Sequence, residues 1–81
     1  MPTKSQHAPA YAPLPGFLRT LREEAGLTQR QLGKALKKPQ SWIHNCEVGN
    51  RRVDVTEFAA WTTACGIKPT AALAHFLRQS D

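Results

Sequence analysis

Cysteine is scarce in this 81-residue chain: Cys46 and Cys65 are nineteen positions apart, with no C-x-x-C spacing. That excludes a zinc ribbon and a disulfide framework, and leaves both as small buried hydrophobes on inward faces. His7, His44 and His75 are just as scattered. His44 and Cys46, two apart on a helix, point in different directions and cannot chelate one ion. Acids are few, six against eleven Lys and Arg, and none are paired at a spacing suited to acid–base chemistry. The chain also lacks a nucleophile–base pair and a glycine-rich phosphate loop. No enzyme, no metal and no cofactor is expected. No apolar run approaches the roughly 18 residues of a membrane span. Lys4 is followed by no hydrophobic stretch before Pro9 and Pro13, so a signal peptide is not expected either. A cytoplasmic protein follows, without a membrane partner.

What is present is helical periodicity and positive charge gathered in one place. At this length one domain is expected. Residues 1–15 hold Pro2, Pro9, Pro13 and Pro15 among small and polar residues, too little apolar surface to offset ordering entropy. They are expected to be a flexible leader, with the folded domain at 16–81. The first helix is predicted over Pro15–Ala25, started by Pro15 or Gly16 and stopped at Gly26. Phe17, Leu18, Leu21 and Ala25 would form its buried stripe. Thr28 with Gln31 spells a capping box for a second helix over 28–36, burying Leu32, Ala35 and Leu36. Pro39 marks a third over 39–47, with Ile43 and Cys46 inward and Gln40, Ser41, His44 and Asn45 mostly outward. Asp54 with Glu57 spells a second capping box, for a helix with Phe58, Trp61, Thr62 and Cys65 inward and Gly66 as its stop. A fifth begins near Pro69. The fold class is therefore all-α, a compact five-helix bundle.

Two short helices joined by a tight turn make Thr28–Gly49 a helix-turn-helix. The charge agrees. Arg30, Lys34, Lys37, Lys38, Arg51 and Arg52 against the single acid Glu47 account for the whole net charge of +5. The remaining bases and acids cancel. A local positive excess suits a polyanion, because each neutralised phosphate releases condensed counterions.

Several pieces in order resemble the Cro/lambda-repressor-like (XRE) family: LREEAGLTQ at 21–29, Leu32, Leu36, Pro39-Gln40-Ser41, Ile43, Glu47, Gly49 and RRVDVTEF at 51–58. The resemblance covers about residues 17–78. It implies a lambda-repressor-like bundle and a sequence-specific transcriptional regulator, a repressor, of bacterial or phage origin and nucleoid-associated. It would bind double-stranded DNA at a palindromic operator as a homodimer. Base contacts carried over by the resemblance are Gln40, Ser41 and Asn45, with His44 flanking. Backbone contacts are Gln29, Lys37, Lys38, Arg51 and Arg52, although Arg52 is also able to pair with Asp54 or Glu57. Trp42 is grouped with them, as a residue able to pack on a deoxyribose or a thymine methyl. A protein partner, or a place in the core against the second helix, are the other placements open to it. Arg22 and Glu47 occupy the positions of a family ion pair that fixes the presentation of the third helix. Leu73, Phe76 and Leu77 form the candidate dimer surface, with core cover as their other role.

Two departures bear on the turn. Lys37 stands where the family commonly has Gly, so either Lys takes a strained conformation or the turn is altered by a residue. Gly33 replaces the usual Ala. A different class of function, an antitoxin-type or other protein-interaction module that also binds DNA, draws on the proline-rich leader and Trp42 as surfaces for a possible protein partner.

Overall fold

Thr28 and Asp54 each begin a helix by the same reciprocal exchange. Thr28 Oγ1 accepts from the Gln31 N–H at 3.0 Å, and Gln31 Oε1 accepts from the Thr28 N–H at 2.8 Å. Asp54 Oδ1 accepts from the Glu57 N–H at 2.8 Å, and Glu57 Oε1 from the Asp54 N–H at 3.0 Å. Both capping boxes read from the sequence are thus formed, and each satisfies donors that a helix start leaves without partners. A computed structural model describes residues 11–80, in which the helices are α1 (Leu14–Glu24), α2 (Gln29–Leu36), α3 (Gln40–Glu47), α4 (Val55–Ala64) and α5 (Pro69–Ser80). The described residues contain no strand. The all-α bundle expected from periodicity is the fold observed. The part of the expected leader that spans residues 1–10 lies outside the described residues.

The chain starts packing before residue 16. The Tyr11 carbonyl accepts from the Leu14 N–H at 2.8 Å, and Leu14 and Pro15 are buried. Helix α1 therefore begins at Leu14, ahead of the Pro15 or Gly16 start read from the sequence. Proline is tolerated in the first turn because its missing N–H would have had no helical partner there. Tyr11 is fastened from across the fold: its hydroxyl oxygen accepts from the Val53 N–H at 2.7 Å. At the other end, Ala25 does not join the stripe; it follows the last residue of α1 and is exposed. Arg22 is buried in its place, for a reason given below.

Trp61 sits at the centre, with no exposed surface, and its Nε1 donates to the Leu18 carbonyl at 3.1 Å. Around it Leu18, Leu32, Ile43, Cys46 and Thr62 are fully buried. A buried indole with its N–H satisfied contributes area without stranding a polar group. Burial pushes the Cys46 thiol up to about 11, consistent with the packing role expected of it. In α2, Leu32 and Leu36 turn inward as expected, but Ala35 is exposed and Gly33 is buried instead. The helical face is rotated toward Gly33, where α2 meets the turn. In α5, Ala72 and Phe76 face the core and the Phe76 ring lies 5.2 Å from that of Phe17. Of the two roles open to it, Phe76 takes that of core cover while still lining a surface groove beside Leu73; Leu73 and Leu77 are exposed. No helix among the described residues is long and apolar enough to cross a membrane.

Candidate nucleic-acid interface

The turn between α2 and α3 consists of Lys37, Lys38 and Pro39. Lys37 adopts the left-handed conformation, φ 59° and ψ 43°. A non-glycine residue there costs on the order of 1 kcal/mol, because its Cβ crowds the backbone. Of the two outcomes open in the sequence, the strained lysine is the one found. The Lys38 N–H donates to the Gly33 carbonyl at 2.8 Å, which ties the turn back onto α2. Pro39, at φ −68° and ψ 157°, is extended, so α3 starts at Gln40.

A continuous polar chain leads from the core to that first residue. Arg22 Nε donates to Glu47 Oε2 at 2.6 Å and Nη2 to Oε1 at 3.0 Å, while Nη1 donates to the Leu27 carbonyl at 2.8 Å. The two side chains are 9% and 2% exposed. The ion pair implied by the resemblance is present and clamps the end of α3 to α1. Hydrogen bonding to Glu47 raises the Arg22 pKa further above its ordinary value, against the opposing effect of burial. Gln29 Nε2 donates to the same Glu47 Oε1 at 3.0 Å, and Gln40 Nε2 donates to Gln29 Oε1 at 3.1 Å. The order of donors is dictated. An ionised carboxylate only accepts, so Gln29 must turn its NH₂ toward Glu47 and its carbonyl toward Gln40. Gln40 then answers with one N–H and keeps its own carbonyl and a second N–H for a ligand.

Beyond Gln40 the outer face of α3 presents Ser41 and His44, both exposed. Asn45 is half-buried, and its Oδ1 accepts from Asn50 Nδ2 at 3.4 Å, a long contact. The Asn45 carbonyl accepts the N–H groups of Asn50 and Arg51, closing the loop after α3. Trp42 is half-buried. Its ring centroid is 6.4 Å from that of Trp61, with Lys38 Nζ at 5.1 Å and the Arg51 guanidinium at 4.8 Å over it. The ring contact found is on the core side, with Trp61 of α4 rather than with the second helix named in the sequence reading, and two cations cover the indole.

Arg51 and Arg52 divide their work differently from the sequence reading. It is Arg51, not Arg52, that pairs with Glu57, through Nη1 to Oε1 at 3.0 Å and Nη2 to Oε2 at 3.1 Å. Its Nη1 also donates to the Arg52 carbonyl at 2.6 Å. Most of the donor capacity of Arg51 is thus directed into the protein, and this fork holds the Glu57 carboxyl below its ordinary value. Arg52 is exposed, with its guanidinium 4.8 Å over the Tyr11 ring. Lys37 and Lys38 are exposed on the turn. Two cations absent from the sequence-derived site share a cleft with Lys38. Arg30 and Lys34 line an open cleft with Gln31, Lys38 and Gln40. The i, i+4 spacing of Arg30 and Lys34 on α2, just before the basic turn, was the signal available for them.

Comparison with known proteins places this geometry. The family model for a helix-turn-helix domain matches residues 14–76. An XRE-family-like protein from Pseudomonas syringae pv. tomato str. DC3000 superposes with a TM-score of 0.80 at 33% identity, covering 89% of this chain and 88% of that one. A structure of the clp gene regulator ClgR from Corynebacterium glutamicum superposes with a TM-score of 0.73 at 24% identity, covering 83% of this chain and 71% of that one, a likeness of fold. No curated protein sequence matches the chain. With the helix-turn-helix intact, its buried ion pair formed and the family model spanning α1 to α5, the chain belongs to the XRE family of helix-turn-helix proteins.

Proposed function

We propose that this DNA-binding transcription regulator reads the major groove with α3 and represses by occupying a two-fold-symmetric operator as a homodimer. The observation that carries the reading is the donor order running Arg22–Glu47–Gln29–Gln40. It leaves Gln40 with one acceptor and one donor side by side. Adenine presents the complement in the major groove, an N6 donor beside the N7 acceptor. Ser41 and His44 supply further polar contacts to neighbouring bases, and Asn45 joins them by releasing its long contact with Asn50. Gln29 keeps one N–H for a phosphate, and Lys37, Lys38 and Arg52 fix the register on the backbone. Trp42 acts on the backbone indirectly, as the surface on which Lys38 and Arg51 rest.

The dimer reading draws on a different face. Leu73 and Leu77 are exposed on α5, and Leu73 and Phe76 border a mostly apolar groove of about 240 Å³ shared with Tyr11, Leu14, Val53, Val55 and Phe58 and edged by Arg52 and Asp54. Val55, at the start of α4, is 75% exposed. Pairing such faces across a two-fold axis would set two α3 helices in successive major grooves, roughly 34 Å apart. A domain held on an operator in this way blocks whatever else requires the same DNA.

Selection from a random duplex library, followed by binding of wild type and Gln40→Ala to the recovered site and its single-base variants, tests the reading. The expected result is a palindrome containing adenine at the Gln40 position. Gln40→Ala should lose roughly 1–3 kcal/mol of discrimination at one or two base pairs and little elsewhere. Recovery of no preferred sequence, or an equal loss by Gln40→Ala on every duplex, would overturn it.

A further inference from the structure

We propose that Arg30 and Lys34, with Lys38, form a phosphate-binding cleft that continues the interface along the outer side of α2, occupied by a phosphodiester of the bound duplex. This assignment rests on the DNA reading above and extends the interface to a face of α2 that it does not use. The cleft is open, about 490 Å³, and is lined by Arg30, Gln31, Lys34, Lys38 and Gln40.

Its chemistry is one-sided. Arg30 and Lys34 are four residues apart on one exposed face of α2, and Lys38, exposed in the turn, lines the same cleft. Like charges at that spacing destabilise an isolated helix by roughly 0.2–0.5 kcal/mol per pair. No acid lies in α2 or the turn to offset them, and the ion pairs of the described residues involve other cations: Arg19, Arg22 and Arg51. The amides complete the pattern. Gln31 Oε1 is committed to the Thr28 N–H, which leaves the Gln31 NH₂ as its available end. Lys38 Nζ rests 5.1 Å from the Trp42 ring centroid, an arrangement that limits its wandering without removing its charge. The cleft therefore offers three cations and an amide donor, with no carboxylate on its walls. An anion with several acceptor oxygens is the matching ligand.

Position selects the duplex over an acidic protein as the source of that anion. Gln40 belongs both to this cleft and to the base-reading end of α3. DNA lying against Gln40 brings its own backbone to the cleft mouth without a further partner.

The test uses the full chain and the duplex recovered by selection. Arg30→Gln with Lys34→Gln neutralises the α2 pair with residues that favour helix, so the thermal midpoint should hold or rise slightly. Binding is measured across salt concentrations for the selected duplex and a scrambled one. The variant should flatten the slope of log K against log salt by about one to two units, close to 0.9 for each phosphate contact removed. Affinity should fall alike for both duplexes, with their ratio unchanged. Ethylation interference should show a phosphate that blocks wild-type binding when modified and no longer matters to the variant. An unchanged slope and an unchanged ethylation pattern would overturn the cleft while leaving the base reading standing, and would turn the search to an acidic protein. If the wild type shows no salt-dependent binding to any duplex, the DNA reading itself fails and the cleft falls with it.

Discussion

Gly33→Ala should destabilise this protein, although the same change in an ordinary helix interior stabilises by about 1 kcal/mol. A Cβ built on Gly33 would lie 2.6 Å from the Lys38 carbonyl oxygen, 3.5 Å from Ile43 Cγ1 and 3.6 Å from the Gln40 nitrogen. Close carbon–oxygen contacts in proteins settle at roughly 3.3–3.6 Å. The carbonyl would have to retreat by about 0.7 Å or more to reach that range. It is backbone, not the loose end of a side chain, and the same residue's N–H donates to the Gly33 carbonyl at 2.8 Å. Moving it strains the turn and shifts the start of α3. Overpacking of this kind costs about 1–3 kcal/mol. Set against the helix-propensity gain of about 1 kcal/mol, the net expectation is a loss of about 1 kcal/mol. For a domain of this size that lowers the thermal midpoint by about 4–8 °C. Circular dichroism melts read the stability, and titration of the selected duplex reads the displacement of Gln40 as weakened discrimination. A midpoint raised by several degrees with discrimination intact would show that the turn has slack, and would refute the argument.

Arg22→Met should be among the most damaging single changes, by roughly 3–5 kcal/mol, because it strands the buried Glu47 carboxylate. Arg22→Met with Glu47→Leu should recover much of that loss in urea denaturation yet read DNA poorly, since Gln29 would lose the acceptor that orients it; equal destabilisation of the single and double variants would contradict this. Acid should weaken the fold through Glu57, whose carboxyl is held below its ordinary value of 4.5, first by the Arg51 hydrogen bonds. A carboxyl with a depressed folded pKa adds stability that is present above the unfolded value and lost as pH falls through the folded one. Thermal midpoints should therefore drop on acidification below 4.5, and Glu57→Gln should make that limb shallower. It should not abolish it, because Asp54 is also lowered, by the Glu57 backbone N–H and the Thr56 hydroxyl. An identical acid limb in Glu57→Gln would count against the Arg51–Glu57 pair.

The helices were legible because their signals are local. Thr28 with Gln31 and Asp54 with Glu57 are three residues apart, and a capping box needs nothing from the rest of the chain. The stops at Gly26, Gly49 and Gly66 are likewise single residues with positive φ. Where the reading failed, the deciding neighbour was distant in sequence. Helix α1 starts at Leu14 while Tyr11 reaches the Val53 N–H, 42 positions away. Arg22, not Ala25, is buried on α1 because Glu47 meets it from α3. Between the two roles left open for Phe76, the distant Phe17 on α1 likewise decides for the core.

The candidate site divides along the same line. Periodicity alone set Gln40, Ser41 and His44 on the outer face of α3, and composition alone gathered the net positive charge into residues 28–52. Neither could say how Gln40 is turned, since that follows from the carboxylate at the far end of α3, Glu47, forcing the polarity of Gln29 on α2. Nor could they tell Arg51 from Arg52. Adjacent residues of like charge look equivalent in a sequence, and only the path of the loop over α4 gave Glu57 to Arg51 and left Arg52 to Tyr11. Sequence by itself determined the helices, their order and the sign of the partner's charge, because caps, periods and charge counts are properties of short stretches. Tertiary structure decided which polar groups are already engaged and which remain for a ligand, because a hydrogen bond exists only where two distant residues are brought within about 3 Å of each other.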